Sequence, residues 1–226
     1  MSFVLAAHGT RKRQGVAMVA DLAERVSAML GQPVHVSFVD VLGPTPSEVL
    51  ASMAGPTIMV PAFLSRGYHV TADIPGHVEA SGHPDVTVTE ALGPGPQLVR
   101  VLTDLLIESG WRPSDSVVLG AAGTSDRGAQ RDLHMTATWL SAVTSSRVEL
   151  AFAATGLPRM PDAVAALRRR QRGRVVVASY LLSEGLFQDR LQASGADVVT
   201  EPLGTHPGLV RLIANRFRRA RVPMAA

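Results

Sequence analysis

The stretch IMVPAFLSRGYHVTADI (residues 58–74) decides the fold, because the chain contains a second version of it, VVVASYLLSEGLFQDRL (175–191). Each begins as a short apolar run typical of a buried strand and turns, at Leu-Ser-x-Gly, into a helical pattern. Three more landmarks recur in the same order, with offsets between 111 and 118 residues over the whole set: SFVLAAHGTRK (2–12) with SVVLGAAGTSD (116–126), VHVSFVD (34–40) with VELAFAA (148–154), and EALGPGPQLV (90–99) with EPLGTHPGLV (201–210).

The repeat predicts two similar α/β halves, residues 1–112 and 113–226. Strand-like runs alternate with helical patterns such as GVAMVADLAERVSAML (15–30), which is typical of βαβ units and a parallel sheet. We expect each half to be a small parallel sheet flanked by helices. We also expect the halves to face each other across a cleft as a pseudo-twofold pair, within a monomer.

The composition is that of a soluble globular protein that can bury a core. Hydrophobic residues make up 46% of the chain but aromatic residues only 4%, so the core must consist mainly of aliphatic side chains. The basic residues are arginines, Lys12 excepted, and the resulting pI of about 10.1 is a weak indication of an anionic partner. The absence of cysteine excludes disulfides, thiolate metal sites and a cysteine nucleophile.

Targeting and nucleic-acid binding have little support in the sequence. The apolar run at the N-terminus is too short for a signal peptide, and no apolar stretch is long enough to span a membrane, so we expect a cytoplasmic protein. LRRRQRGR (167–174) and RLIANRFRRAR (211–221) are basic, but they lack interleaved aromatics and any nucleic-acid-binding motif. We interpret them as basic helix faces or a frayed tail.

Alignment of the two halves shows that their polar residues differ. His8 corresponds to Ala122 and His69 to Phe187, while Asp40 falls opposite a small apolar residue, Ala153 or Ala154. The backbone pattern therefore occurs twice, but the polar cluster occurs only in the first half. A histidine needed only for the structure of a strand end would have no reason to disappear from one copy.

These three residues are candidates for a metal or proton-transfer site. His8, Asp40 and His69 each follow a predicted strand, and in a parallel sheet ligands bind beyond the carboxyl ends of the strands. Two imidazoles and a carboxylate suit a divalent ion such as Fe²⁺, Co²⁺ or Ni²⁺, and a neutral imidazole can accept a proton near pH 7. Two strand-end histidines with hydrogen-bonded rings fit the spacing equally well.

Three motifs give the chain a specific resemblance. LAAHGTR (5–11), FVDVLGPTPSEVL (38–50) and VPAFLSRGYHVTADIP (60–75) resemble the sirohydrochlorin chelatase family, whose members insert a divalent metal into a tetrapyrrole on the way to sirohaem or cobalamin. The resemblance covers nearly the whole chain and implies the long form, with two chelatase-like halves in one polypeptide. It also implies that the metal is a substrate and that no cofactor is tightly bound.

The resemblance implies roles for particular residues. His8 and His69 would be the catalytic, metal-binding histidines. Asp40 would be a third metal ligand; it stands where the family commonly has glutamate, and its side chain is shorter by one methylene. Gly67 would let the backbone approach the flat substrate closely.

Residues beside the motifs are further candidates. Arg11 and Arg66 could pair with the carboxylates of the tetrapyrrole. Asp73 lies one helical turn after His69 and would orient its ring, although a carboxylate that only favours the start of a helix is an equal alternative. His77 and His83 are predicted to lie in a surface loop.

The sequence leaves two classes of function open. One is a chelatase. The other is a non-catalytic carrier of a tetrapyrrole or metal on the same fold, which could keep the histidines as ligands. A ferrochelatase acting on a late porphyrin is a third, related interpretation, which the motifs support less well.

Overall fold

The structure, a computed structural model, describes residues 1–170 and 173–221. It contains two compact units: Met1–Gly93 with the segment from Thr205 onward, and Pro94–Gly204. Each unit is built on a four-stranded parallel sheet.

The strands and helices alternate along the chain as the sequence predicts. The strands are β1 Ser2–Ala7, β2 Val34–Phe38, β3 Thr57–Pro61, β4 Val86–Val88, β5 Ser116–Gly123, β6 Val148–Thr155, β7 Val175–Tyr180 and β8 Val198–Val199. The helices are α1 Arg13–Leu30, α2 Pro46–Ala51, α3 Ile74–Ser81, α4 Pro96–Glu108, α5 Arg127–Thr144, α6 Met160–Arg170, α7 Leu186–Gln192 and α8 Pro207–Arg221.

The two sheets have the same topology, which confirms the predicted α/β architecture of the halves. Their orders are β2-β1-β3-β4 and β6-β5-β7-β8. Local hydrogen bonds repeat as well: the N–H of Phe38 donates to the carbonyl of Pro44, and the N–H of Phe152 donates to that of Pro158. The central strand β1 is buried over nearly its whole length, as expected for a parallel strand covered on both faces.

The last helix of each sequence repeat packs in the other compact unit. Helix α4 follows β4 in the sequence but packs on α5 and β7, while α8 follows β8 but packs on α1 and β3. The repeat by itself gives no sign of this exchange. The boundary predicted between residues 112 and 113 separates the two sequence repeats, and it stays a prediction. The compact units divide elsewhere, between residues 93 and 94 and between residues 204 and 205.

Arginines of α8 hydrogen-bond this helix to backbone carbonyls elsewhere in the first unit. Arg216 donates to the carbonyl of Ala91 at 3.1 Å, and Arg218 donates to that of Met29, at the end of α1, at 2.8 Å. The guanidinium of Arg221 lies 4.9 Å from the ring centroid of Phe3. The basic segment 211–221 is therefore an integral helix with structural contacts.

The other basic segment also makes contacts within its own unit. Arg168 pairs with Asp197 at 2.9 Å, and Arg174 pairs with the buried Asp115 at 2.7 Å. The hydrogen bond from Arg174 lowers the pKa of Asp115 below its usual range. Residues 171 and 172 of this segment lie outside the described residues.

Over the described part of the chain, we find no helix with the length and apolar character needed to cross a bilayer.

Candidate active site

The segments that follow the first three strands meet at the carboxyl edge of the first sheet. Beyond β1 and β2, the N–H of Val39 donates to the carbonyl of Ala7 at 2.8 Å, and that of Asp40 donates to the carbonyl of His8 at 3.1 Å. On the other side of β1, the N–H of Ala62 donates to Ala6 at 2.7 Å. These bonds extend the ladder past the strands and hold the residues that carry polar side chains.

Two histidines lie together at this edge, as the sequence predicts. The ring centroids of His8 and His69 are 4.6 Å apart, and the ring planes are nearly perpendicular, at 89°. Phe63 stacks against His69 with its centroid 5.7 Å away, which fixes one face of that imidazole. His8 is exposed, and the side chain of His69 is 33% exposed, so both remain accessible to a ligand.

Hydrogen bonds define which nitrogen of each neutral imidazole can act as a ligand. Nδ1 of His8 lies 3.1 Å from the carbonyl oxygen of Gly9, and Nδ1 of His69 lies 2.6 Å from Oδ2 of Asp73. A carbonyl and a carboxylate can only accept, so we infer that both Nδ1 atoms carry the proton. Each neutral ring then has its lone pair on Nε2, the arrangement in which histidine ligates metals.

A π-helical turn over His69–Asp73 brings His69 and Asp73 together. The N–H of Ile74 donates to the carbonyl of His69, five residues earlier. Pro75 explains the wider turn, because it has no N–H and its ring clashes with the carbonyl four residues before it. Such turns occur frequently at functional sites.

Asp40 lies beside the two histidines, but its carboxylate has a local partner. Oδ1 of Asp40 accepts the N–H of Val41 at 2.7 Å. Among residues 1–170 and 173–221, no three His, Cys, Asp or Glu side chains are arranged so that they could hold a metal ion. The structure thus brings the two imidazoles together with Asp40 beside them, and direct ligation by Asp40 stays a prediction.

The turn that contains Asp40 has an uncommon backbone. Val41 has a φ of +76°, a conformation that β-branched residues rarely adopt. The N–H of Leu42 donates to the carbonyl of Asp40 at 2.9 Å across it. The carbonyl of Asp40 also explains Gly9, because a Cβ at that position would lie 2.2 Å from it.

An open depression of about 550 Å³ adjoins the histidine pair. Its lining includes Asp40, His69 and Asp73, and also Tyr68 and His77. The predicted substrate-binding residues belong to the same motifs as the histidines. Arg11 and Arg66 are exposed. The carbonyl of Gly67 accepts the N–H of Val70 at 2.9 Å, at the start of the helical segment. Substrate binding by these three residues stays a prediction.

The second sheet carries apolar residues at the equivalent positions. When the strand registers of the two sheets are matched, Ala122 takes the position of His8. When residues are counted from Gly67 and from Gly185, Phe187 takes the position of His69 and Leu191 that of Asp73. Phe187 is 37% exposed and Leu191 is fully buried. The strands that carry the site are therefore duplicated without its polar side chains, and the equivalent of the π-helical turn is an ordinary α-helix, α7.

Comparison with known proteins identifies the family. The CbiX family model matches residues 2–109 and again residues 116–220. The chain belongs to the CbiX family. The two matches coincide with the two sequence repeats, and the resemblance inferred from the three motifs is confirmed.

Solved structures share the fold of this CbiX family member. SirB from Bacillus subtilis with Fe³⁺ matches with a TM-score of 0.81 and 20% identity, over 96% of this chain and 94% of the other. The sirohydrochlorin chelatase SirB from Bacillus subtilis subspecies spizizenii, in complex with cobalt, matches with a TM-score of 0.73 and 21% identity over the same shares.

CbiX, the terminal enzyme for biosynthesis of siroheme in denitrifying bacteria, matches with a TM-score of 0.76 and 18% identity, over 98% of this chain and 100% of the other. No curated protein sequence matches the chain.

Sequence reasoning missed two residues of the site in this CbiX family member. His77 was predicted to lie in a loop, but it is in α3, where its Nδ1 lies 3.3 Å from Oγ of Ser47 and its side chain lines the depression. The spacing of His69, Asp73 and His77, four residues apart each time, could have indicated this shared helical face. Tyr68 had no signal beyond its position next to His69.

Replacing Asp73 with alanine is expected to lower both Co²⁺ affinity and the rate of metal insertion by about 10- to 100-fold, since the ring of His69 would lose its orientation and its preferred tautomer. Asp73→Asn should retain part of both, because an amide oxygen still accepts a hydrogen bond. Co²⁺ titration and initial rates would be measured beside Asp85→Ala, an exposed carboxylate of the same unit. Unchanged Co²⁺ affinity in Asp73→Ala would contradict a positioning role.

Proposed function

We propose that this protein is a sirohydrochlorin chelatase, which inserts a divalent metal ion into a sirohydrochlorin-type tetrapyrrole. The observation that carries the proposal is the pairing of His8 and His69, with ring centroids 4.6 Å apart and both Nδ1 atoms engaged in hydrogen bonds. Membership of the CbiX family supports it, as do structural neighbours described as sirohydrochlorin chelatases or as binding Fe³⁺ or cobalt.

The histidine pair suits a metal that must be bound and then released. Nε2 of His8 and Nε2 of His69 would hold the ion, and water would complete its coordination. A closed set of four protein ligands would retain the ion, whereas two imidazoles leave positions for the four ring nitrogens. Asp40 could add a ligand through Oδ2, since the N–H of Val41 engages only Oδ1 of its carboxylate.

Metal insertion also requires the loss of two protons from the ring nitrogens. An imidazole from which the metal has departed is a base of suitable strength near neutral pH. We assign this task to the His8–His69 pair, which would also hold the ion. The metal is thus a substrate, with Fe²⁺, Co²⁺ and Ni²⁺ all acceptable to imidazole ligands.

Arginines at the rim would bind the acidic periphery of the tetrapyrrole. Arg11 follows the β1 motif and Arg66 precedes the π-helical turn, and both side chains are exposed. Guanidinium groups bind carboxylates through paired, charge-assisted hydrogen bonds. We further propose that the protein acts as a monomer in the cytoplasm.

A multiple-turnover assay tests this function against that of a carrier. A small amount of protein would be incubated anaerobically with excess sirohydrochlorin and Co²⁺, and metalation would be followed by the change in absorbance. The proposal predicts many equivalents of metallated product per chain, well above the rate without protein. Stoichiometric binding with no further product would instead indicate the carrier.

A further inference from the structure

Tyr68 is the most exposed large aromatic side chain near the histidine pair. Its exposed fraction is 67%, although it precedes the partly buried His69 directly. The ring centroids of Tyr68 and His69 are 6.4 Å apart, with the planes at 73°. Tyr68 also lines the depression that His69 and Asp73 line. A rigid aromatic surface thus adjoins the two imidazoles and remains open to solvent.

The second half retains an exposed apolar residue at the same position. Leu186, which follows Gly185 as Tyr68 follows Gly67, is 58% exposed. The next position differs completely, since one half has His69 and the other has Phe187. The difference between His69 and Phe187 shows that the position after Tyr68 or Leu186 tolerates varied side chains. The exposed apolar character of the preceding residue has persisted in both copies.

A second exposed apolar side chain directly follows Asp40, a residue that lines the depression. Val41 is 44% exposed and has the strained φ of +76°. Strained residues persist where the surrounding structure enforces them, and they cluster at ligand sites. The edge that holds the imidazoles therefore presents Tyr68 and Val41 to solvent as well.

The proposed reaction defines what such a surface would contact. A planar tetrapyrrole accepts its metal through one face, and that face is an extended conjugated surface with the carboxylates at the periphery. Aromatic side chains gain most from contact with flat conjugated groups, by apolar burial and by stacked or edge-to-face geometry. Such a contact would fix the height and tilt of the ring above the metal.

We propose that the Tyr68 side chain packs against the face of the tetrapyrrole ring and positions it over the His8–His69 pair. This inference rests on the proposed chelatase function. Tyr68 acts by its apolar ring, so its hydroxyl group is dispensable. Its contact is equal for the metal-free and the metallated ring, because both present the same conjugated face.

Equilibrium binding of metal-free sirohydrochlorin tests the inference without requiring turnover. Tyr68→Ala is expected to raise the Kd by about 10-fold, whereas Tyr68→Phe should stay within about 2-fold of the wild type. Val88→Ala is the matched control, since Val88 is an exposed apolar residue of the same unit, on β4. Co²⁺ affinity without tetrapyrrole should be unchanged in Tyr68→Ala.

Kinetics provide the second readout. Tyr68→Ala should raise KM for the tetrapyrrole and also lower kcat, because the variant loses the contact that binds the ring and sets its height and tilt above the metal. An unchanged Kd in Tyr68→Ala would overturn the inference while leaving the chelatase intact. A Kd raised equally in Tyr68→Phe would also overturn it, because the hydroxyl group would then be the contact. Absence of turnover in the wild type would instead refute the proposed function.

Discussion

Replacement of His8 or His69 with alanine reduces the rate of metal insertion by about 100-fold or more, if the pair both holds the ion and accepts the departing protons. The two rings are 4.6 Å apart, so loss of either leaves a single imidazole facing the ion. One imidazole neither orients the metal nor competes well with water for it. The measurement is the initial rate of Co²⁺ insertion into sirohydrochlorin under anaerobic conditions.

A third histidine provides the matched control for these variants. His35 is exposed on β2 of the same sheet, and it does not line the depression. His35→Ala should retain the wild-type rate. The thermal unfolding midpoint of all three variants should stay close to that of the wild type, because neither site histidine is buried. Full activity in His8→Ala would show that metal insertion occurs elsewhere.

Phe217→Ala is expected to lower the free energy of unfolding by about 3–5 kcal/mol, the usual cost of removing a buried phenylalanine ring. Phe217 and Phe3 are both fully buried, with ring centroids 4.6 Å apart. The substitution would leave a cavity between α8 and β1, the strand that leads to His8. Denaturant unfolding measures the loss, with the exposed Arg219→Ala on the same helix as a control that should change little.

Hydrogen exchange shows which unit Phe217 supports. Amides of β1 and β3 should lose protection in Phe217→Ala, while those of β5 and β7 should keep theirs, since α8 packs on the first unit. A loss confined to β5 and β7 would mean that the C-terminal helix belongs with the half that precedes it in the sequence.

The exchange of α4 and α8 marks the limit of prediction from the repeat. Both helices begin at the proline of the same LG-x-x-P-x-LV sequence and both bury an apolar face, so the sequence does not indicate which sheet each one covers. Helical periodicity indicates that a face is buried, but it does not name the partner. The parallel sheet of each half was predictable because strands alternate with helices along the chain, but the order of the strands in the sheet was not predicted.

The histidine pair was predictable for a different reason. Comparison of the two halves distinguishes His8 and His69 from residues that merely serve the fold, and strand ends of a parallel sheet meet at one edge. The spacing of His69 and Asp73 allowed the hydrogen bond between them as one of two equal alternatives, and the structure contains it. The bond from Asp40 to its own turn was not predictable, because it depends on the backbone of Val41, which no sequence pattern indicates.

The most direct test of this account is the binding of Co²⁺ to the protein in the absence of tetrapyrrole, measured by calorimetric titration of the wild type and of the His8→Ala/His69→Ala double variant. X-ray absorption of the Co²⁺-loaded wild type would count its imidazole ligands. The account predicts one ion per chain with two imidazoles in the wild type and no ion at this affinity in the double variant. A double variant that still binds one ion with wild-type affinity would contradict it.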